Sequence, residues 1–413
     1  MSEMTADSPL ETAETSRPRL ASPRQVLRDL DSRTAANGLI GLVFSATGPL
    51  AVIVTAGGQG HLTAAQLASW IFGAFFLNGL LTILVSWVYR RPLGFFWTIP
   101  GTVLVGNALP HMTWSQVIGV YVVTAILIVA LGLSGLVDSI MKLLPTPIVM
   151  AMVAGVFLHF GTGLVQAVSH NARVAAPMII VFVLLSAWPR GGALIPPVLG
   201  ALAAGIAAVA STTGFSPTLN DAGPLAVPVF TAPEFSANAL AELVIPLAVT
   251  VLVVQNGQGI AVLEAARHRV PVTAVTIACG IWSLFGAGVG AVSTCLTGPT
   301  NALLVASGQR ERQYTAAIVC GLLALVAGIF APVLVALMLS LPAAYIGGLA
   351  GLAMLAALRG AFLTAFSGRH TMGALIAFLV TVAGIDFGGI SAAFWGLVAG
   401  ILASRLLDPS QPA

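Results

Sequence analysis

Two stretches of this 413-residue chain carry side chains suited to holding an anion away from water. They are Phe95-Phe96-Trp97-Thr98-Ile99-Pro100-Gly101-Thr102 and Val292-Ser293-Thr294-Cys295-Leu296-Thr297-Gly298-Pro299-Thr300-Asn301. In each, a few strand-like residues meet a Pro/Gly break, and a short apolar helical run follows. Proline is tolerated in the first turn of a helix, where its missing N–H costs little. Both stretches therefore read as extended chain turning into half a helix. Helix N-termini present free N–H groups and partial positive charge, which suits a carboxylate. With ends near Gly101–Val103 and Thr300–Ala302 facing one cavity, Thr98, Thr102, Thr297, Thr300 and Asn301 add neutral donors. Phe95, Phe96 and Trp97 supply an aromatic wall. The same three rings read equally well as an interfacial belt beside Arg90-Arg91.

Other polar groups within the apolar sequence are few, and no Lys or Arg sits in the middle of a segment. Gln255 and Asn256 are neutral amides that need partners. Gln255 shares a helical face with Gly259, so it can bond a ligand there or a neighbouring helix. His159 is the one histidine placed deep in an apolar segment, as a proton carrier or a hydrogen-bonded packing residue. Glu242, Asp138 and Asp386 fall near segment ends and read as interfacial groups ahead of proton relays. His159 and Glu242 are the candidates for proton coupling. No His/Asp/Glu cluster, Ser–His pairing or cofactor motif has the spacing chemistry requires, so no catalytic residue, metal or cofactor is expected. Cys279, Cys295 and Cys320 lack metal-ligand spacing and read as small packing residues.

The elements that position these groups are membrane spans. The chain is 58% hydrophobic and 8% charged, against about 25% charged in soluble domains. Apolar runs long enough to cross a bilayer recur from residue 38 to residue 404. The expectation is an all-α polytopic membrane protein with 14 segments, near 37–56, 65–89, 98–110, 114–140, 146–168, 174–188 and 194–211, then 239–261, 271–287, 295–307, 314–340, 342–358, 371–385 and 389–405. The third and tenth are the short, broken ones. The domains follow as a tail over 1–35, a first repeat over 36–211, an extracytoplasmic linker over 212–236, a second repeat over 237–406 and a tail over 407–413.

Internal similarity supports the division. Ala36–Val43 matches Ala237–Val244 at five of eight positions, Gly58-Gln59-Gly60 recurs as Gly257-Gln258-Gly259, Thr102 falls opposite Thr300, and Leu144-Pro145 opposite Leu341-Pro342. The offsets are 201, 199, 198 and 197 residues. An odd number of spans per repeat inverts the second copy, the plan of many secondary transporters. With both termini inside, Arg90, Arg91, Lys142, Arg190, Arg267, Arg269, Arg310, Arg312, Arg359, Arg369 and Arg405 are cytoplasmic and only Arg173 is outside. The arginines of the N-terminal tail, beside Asp29 and Asp31, read as a positive cytoplasmic flank and not as a nucleic-acid surface.

The segment Asn37–Pro49, the break Phe96–Thr102, the run Leu143-Leu144-Pro145-Thr146-Pro147 and Leu296–Asn301 resemble the benzoate/proton symporters, the BenE-type permeases, over about residues 36–406. The resemblance implies uptake of benzoate or a similar aromatic carboxylate with protons across the bacterial inner membrane. Lipid is then the surrounding partner, and a homodimer is compatible with this reading. It also implies the architecture of uracil permeases and sulfate/bicarbonate transporters. There, spans 1–4 and 8–11 form a core that moves like an elevator against a gate of spans 5–7 and 12–14, and substrate sits between spans 3 and 10. By that likeness Phe96, Thr98, Gly101, Thr102, Gln255, Thr300 and Asn301 surround the substrate. Uracil permeases carry acidic residues where this chain has Gln255 and Pro299; a buried carboxylate there would repel an anion. A permease for another small anion or a nucleobase, and an anion channel, are the alternatives.

Overall fold

The computed structural model describes residues 20–137, 145–188, 196–212, 223–306, 308–384 and 392–408. Asp138 and Asp386 lie outside them. Seven described helices are long and apolar enough to cross a membrane: Ser32–Gln59, Ala64–Tyr89, Trp114–Ser134, Thr146–Ala187, Ala237–Ala265, Arg310–Ile329 and Ala343–Ala365. Four shorter apolar helices, Pro197–Thr212, Val272–Gly288, Thr371–Ala383 and Ala392–Leu407, accompany them. The chain is a helical, polytopic membrane protein.

In chain order, a short helix α1 (Pro23–Asp29) precedes α2 (Ser32–Ser45) and α3 (Gly48–Gln59). These last two together make the span expected at 37–56, which is interrupted within its length. The break falls at Ala46-Thr47, where Thr47 has φ −109° and ψ −97° and Pro49 occupies the first turn of α3. Helix α4 (Ala64–Tyr89) widens into a π-helical turn at Gly73–Leu77. Capping boxes Asp31/Thr34, Thr63/Gln66 and Thr113/Gln116 start α2, α4 and α6 (Trp114–Ser134) by satisfying the first orphan N–H groups. Between α4 and α6 lie strand β1 (Phe95–Trp97) and the half-helix α5 (Ile99–Ala108).

The segments expected at 146–168 and 174–188 form one continuous run, α7 (Thr146–Ala187), but Asn171 inside it is non-helical at φ −152° and ψ 80°. Eleven residues of straight helix span about 16 Å, yet Ala167 and Met178 both lie within 4.0 Å of a Cβ built on Gly348. The chain folds back at Asn171, and the two expected helices are there. Helix α8 (Pro197–Thr212) follows, and α9 (Ala237–Ala265) carries Pro246 and a π-helical stretch at Thr250–Asn256. Next come α10 (Val272–Gly288), strand β2 (Thr294–Leu296) and the half-helix α11 (Gly298–Leu304). The segment expected at 314–340 divides at Phe330 into α12 (Tyr314–Ile329) and α13 (Ala331–Leu339), with Pro332 opening the second. Helices α14 (Ala343–Ala365), α15 (Thr371–Ala383) and α16 (Ala392–Leu407) complete the order.

Candidate functional site

The two broken stretches meet. Strands β1 and β2 pair antiparallel, with Phe95 opposite Leu296, Phe96 opposite Cys295 and Trp97 opposite Thr294. Backbone bonds from Thr98 N–H to Ser293 O (3.0 Å) and from Thr297 N–H to Gly94 O (3.2 Å) extend the pairing at both ends. Exposed strand edges are not tolerated inside a membrane unless other groups satisfy them. Here polar side chains from neighbouring helices do so. Thr82 accepts from Phe95 N–H (2.8 Å) and Ser86 from Leu93 N–H (3.1 Å). Ser283 accepts from Thr294 N–H (2.9 Å), Asn256 from Leu296 N–H (2.8 Å), and Thr294 Oγ1 donates to Asn78 (2.7 Å). These residues give the irregular backbone its place. Of these, sequence reasoning singles out only Asn256 and, within its own stretch, Thr294.

Phe95, Phe96 and Trp97 are 0%, 2% and 1% exposed, which places them in the interior and removes the interfacial-belt reading. Phe75 from α4 packs against Phe96 and Trp97 at ring-centroid distances of 6.0 and 5.1 Å. Beside this cluster, the starts of α5 and α11 flank a cleft lined by Phe44, Ser45, Phe96, Trp97, Thr297 and Thr300, with Pro49, Ile99 and Pro299. Its volume of ≈ 10 Å³ is about what one water molecule needs. The indole N–H of Trp97 is buried with no hydrogen-bond partner among the described residues. Thr300 Oγ1 lies 3.2 Å from Ser45 Oγ.

The expected site residues divide by what their side chains touch. Phe96 and Thr300 line the cleft. Thr98 caps α5 by accepting from Gly101 N–H (3.1 Å), and its hydroxyl donates to Thr250 of α9 (3.0 Å). Gly101 lets α9 approach, since a Cβ there would stand 2.5 Å from Leu247 Cδ1. Thr102 donates to the carbonyl of Thr98 (2.9 Å) within its own helix. Asn301 acts as a clamp, accepting from Gly94 N–H (2.9 Å) and donating to Gly94 O (3.0 Å) and Thr297 O (2.6 Å). Gln255 is 3% exposed, and its amide makes no hydrogen bond among the described residues. The cleft also takes Phe44, Ser45 and Pro49 from the break in the first span, a stretch that sequence reasoning used for the family resemblance but not for the site. Their signal was present, because Thr47-Gly48-Pro49 repeats the tripeptide Thr297-Gly298-Pro299.

A second, larger cavity of ≈ 560 Å³ lies toward the far end of α5, lined by Gln59, Asn107, His111, His159, Thr162 and Thr381 among others. An adjoining cavity of ≈ 160 Å³ shares Gln59, Asn107 and His159 with it. His159 is exposed into this space, not enclosed in packing as its sequence context suggested. Glu242 is 1% exposed and lies 3.2 and 3.3 Å, through its two oxygens, from His111 Nε2. At the opposite end of α9, His268 is hydrogen-bonded to Gln313 (2.7 Å), and burial lowers its pKa from the ordinary 6.5.

Comparisons with known proteins give the family and the fold. The family model for benzoate membrane transport proteins, BenE, matches residues 28–406. The chain is 29% identical over 374 residues to the inner membrane protein YdcO of Escherichia coli, covering 89% of this chain and 94% of that one. It is also 29% identical over 374 residues to the benzoate membrane transport protein of Acinetobacter baylyi, covering 90% and 94%. Among solved structures, the transmembrane domain of the cyanobacterial bicarbonate transporter BicA aligns with a TM-score of 0.56 at 15% identity, covering 91% of this chain and 98% of that domain. The murine anion transporter Slc26a9 aligns with a TM-score of 0.59 at 14% identity, covering 91% and 68%. At such identities the two structures show a shared fold.

Proposed function

The chain belongs to the benzoate membrane transport protein family, and we propose that it imports benzoate, or a closely related aromatic carboxylate, together with a proton across the bacterial inner membrane. The relatives are membrane transporters, so the activity sought is translocation and not chemistry on the substrate. The proposal includes 14 spans in two inverted repeats with both termini cytoplasmic. Spans 1–4 and 8–11 form a core that carries substrate past a gate of spans 5–7 and 12–14. The fold-back at Asn171 and the placement of basic residues support that count.

One observation carries the substrate class. The cleft between the two half-helices joins aromatic walls to one unspent neutral donor, the indole N–H of Trp97, and to two hydroxyls already paired within the protein, Ser45, which donates to Gly41 O (3.0 Å), and Thr300, 3.2 Å from Ser45 Oγ, which can turn to a bound anion. No acidic side chain is among the described residues lining it. Helix N-termini on both sides favour a carboxylate, and Phe96 and Trp97 suit a planar ring. Thr98, Gly101, Thr102 and Asn301 hold the geometry, and Gln255, buried on α9, is not among the residues lining the cleft. The cleft's ≈ 10 Å³ favours a second reading, a small inorganic anion, unless its walls part.

Uptake of labelled benzoate into proteoliposomes, with and without an inward proton gradient, tests the proposal. The expected result is gradient-driven accumulation, competed by close aromatic carboxylates but not by bicarbonate or uracil. Competition by bicarbonate, with no response to aromatic acids, would transfer the site to the small-anion reading.

A further inference from the structure

Glu242 is almost fully buried, yet it reaches water through the imidazole of His111, whose side chain is 45% exposed and lines the larger cavity. The pair has distinct charge states: one shared proton leaves it neutral, and a second leaves it at +1. His111 follows the C-terminal end of α5, its backbone N–H bonded to Ala108 O (3.1 Å).

Position separates this pair from His159. His111 follows α5 and Glu242 lies on α9, and the same two elements meet at the cleft through Thr98 and Thr250. Both belong to the half of the molecule proposed to travel with substrate. His159 lies on α7, in the half proposed to stay. A group that stays behind can gate a proton but cannot carry it. The other titratable groups on surrounding elements are His159 across the cavity, Glu234 bonded to Thr113 and Gln116, His61 after α3, and Tyr121 on α6. No Lys or Arg is among the described residues lining the cavity.

We infer that the His111–Glu242 pair is the proton-loading group of the transport cycle. A proton from cavity water passes through His111 to a Glu242 oxygen as the anion binds, and the added charge balances that of the carboxylate, which remains an anion. The inference rests on the symport reading above. Glu242→Gln and His111→Gln, in proteoliposomes, are expected to keep benzoate counterflow at zero gradient while losing gradient-driven accumulation, and His159→Gln to keep the gradient response. Should Glu242→Gln fail to fold, judged by its melting in detergent, His111→Gln decides, since it alters a partly exposed ring. Gradient-driven accumulation retained in a folded Glu242→Gln or His111→Gln protein overturns the inference. A wild-type protein that exchanges benzoate but ignores the gradient overturns the symport reading first, and the pair's role with it.

Discussion

Asn301 distinguishes a ligand group from a clamp. It is fully buried and makes three side-chain hydrogen bonds, two of them to Gly94 at 2.9 and 3.0 Å and one to Thr297 O at 2.6 Å. Asn301→Ala deletes all three. At ~1 kcal/mol net per bond the loss is about 3 kcal/mol, or roughly two orders of magnitude in the folded population. Gly94 O keeps Thr297 N–H (3.2 Å), so the group left without this partner is the Gly94 N–H at the entry to β1. The strand crossing should loosen and take the cleft with it. Thermal unfolding in detergent, paired with benzoate titration on the folded fraction, reads both effects. A lower melting temperature with weakened binding is expected. Wild-type melting with lost affinity would refute the clamp and return Asn301 to the substrate, where the sequence placed it.

Three other perturbations separate positioning from contact. Thr300→Val removes only the link to Ser45 and should weaken benzoate binding while costing at most about 1 kcal/mol of stability, whereas Thr98→Val removes a cap and the bond to Thr250 and should cost about 1–2 kcal/mol. Trp97→Phe deletes a donor that has no protein partner among the described residues, and titration should show about tenfold weaker benzoate binding, the worth of one charge-assisted hydrogen bond. His268 gives a pH dependence. Burial lowers its pKa, so the unfolded chain binds the proton first, and the stability is fully present above the ordinary 6.5 and lost as pH falls below it. His268→Asn should flatten that acid limb in melting curves recorded against pH.

The half-helices were legible because a Pro/Gly break inside an apolar run is costly in a membrane unless it lines a cavity, and their symmetry doubled the signal. What the breaks pack against was not. Thr82, Ser86 and Ser283 look like any hydroxyl in a membrane helix, where such groups usually bond back to their own turn, as Ser283 does to Cys279 O (2.6 Å), and no local pattern says that they also serve a strand edge. The break at Ala46-Thr47 was hidden for a related reason. Its flanks, Phe44 and Pro49–Val54, stay apolar, so hydropathy runs smoothly across it. Asn301 was recognised as polar and near the site, but the direction of its amide is set by Gly94, about 200 positions earlier in the chain. His111 sits in a short turn that hydropathy assigns to the outside, and only packing against α9 brings it to Glu242. The π-helical turns at Gly73–Leu77 and Thr250–Asn256 carry no sequence signature.

The central claim is that an aromatic carboxylate binds between the two half-helix N-termini. A structure of the full chain with a bromobenzoate, its halogen located by anomalous scattering, tests that claim most directly. The account predicts the ring against Phe96 and Trp97, with its carboxylate toward Thr300 and the first turns of α5 and α11. Halogen density in the larger cavity beside His111 and His159, with the cleft closed, would contradict it.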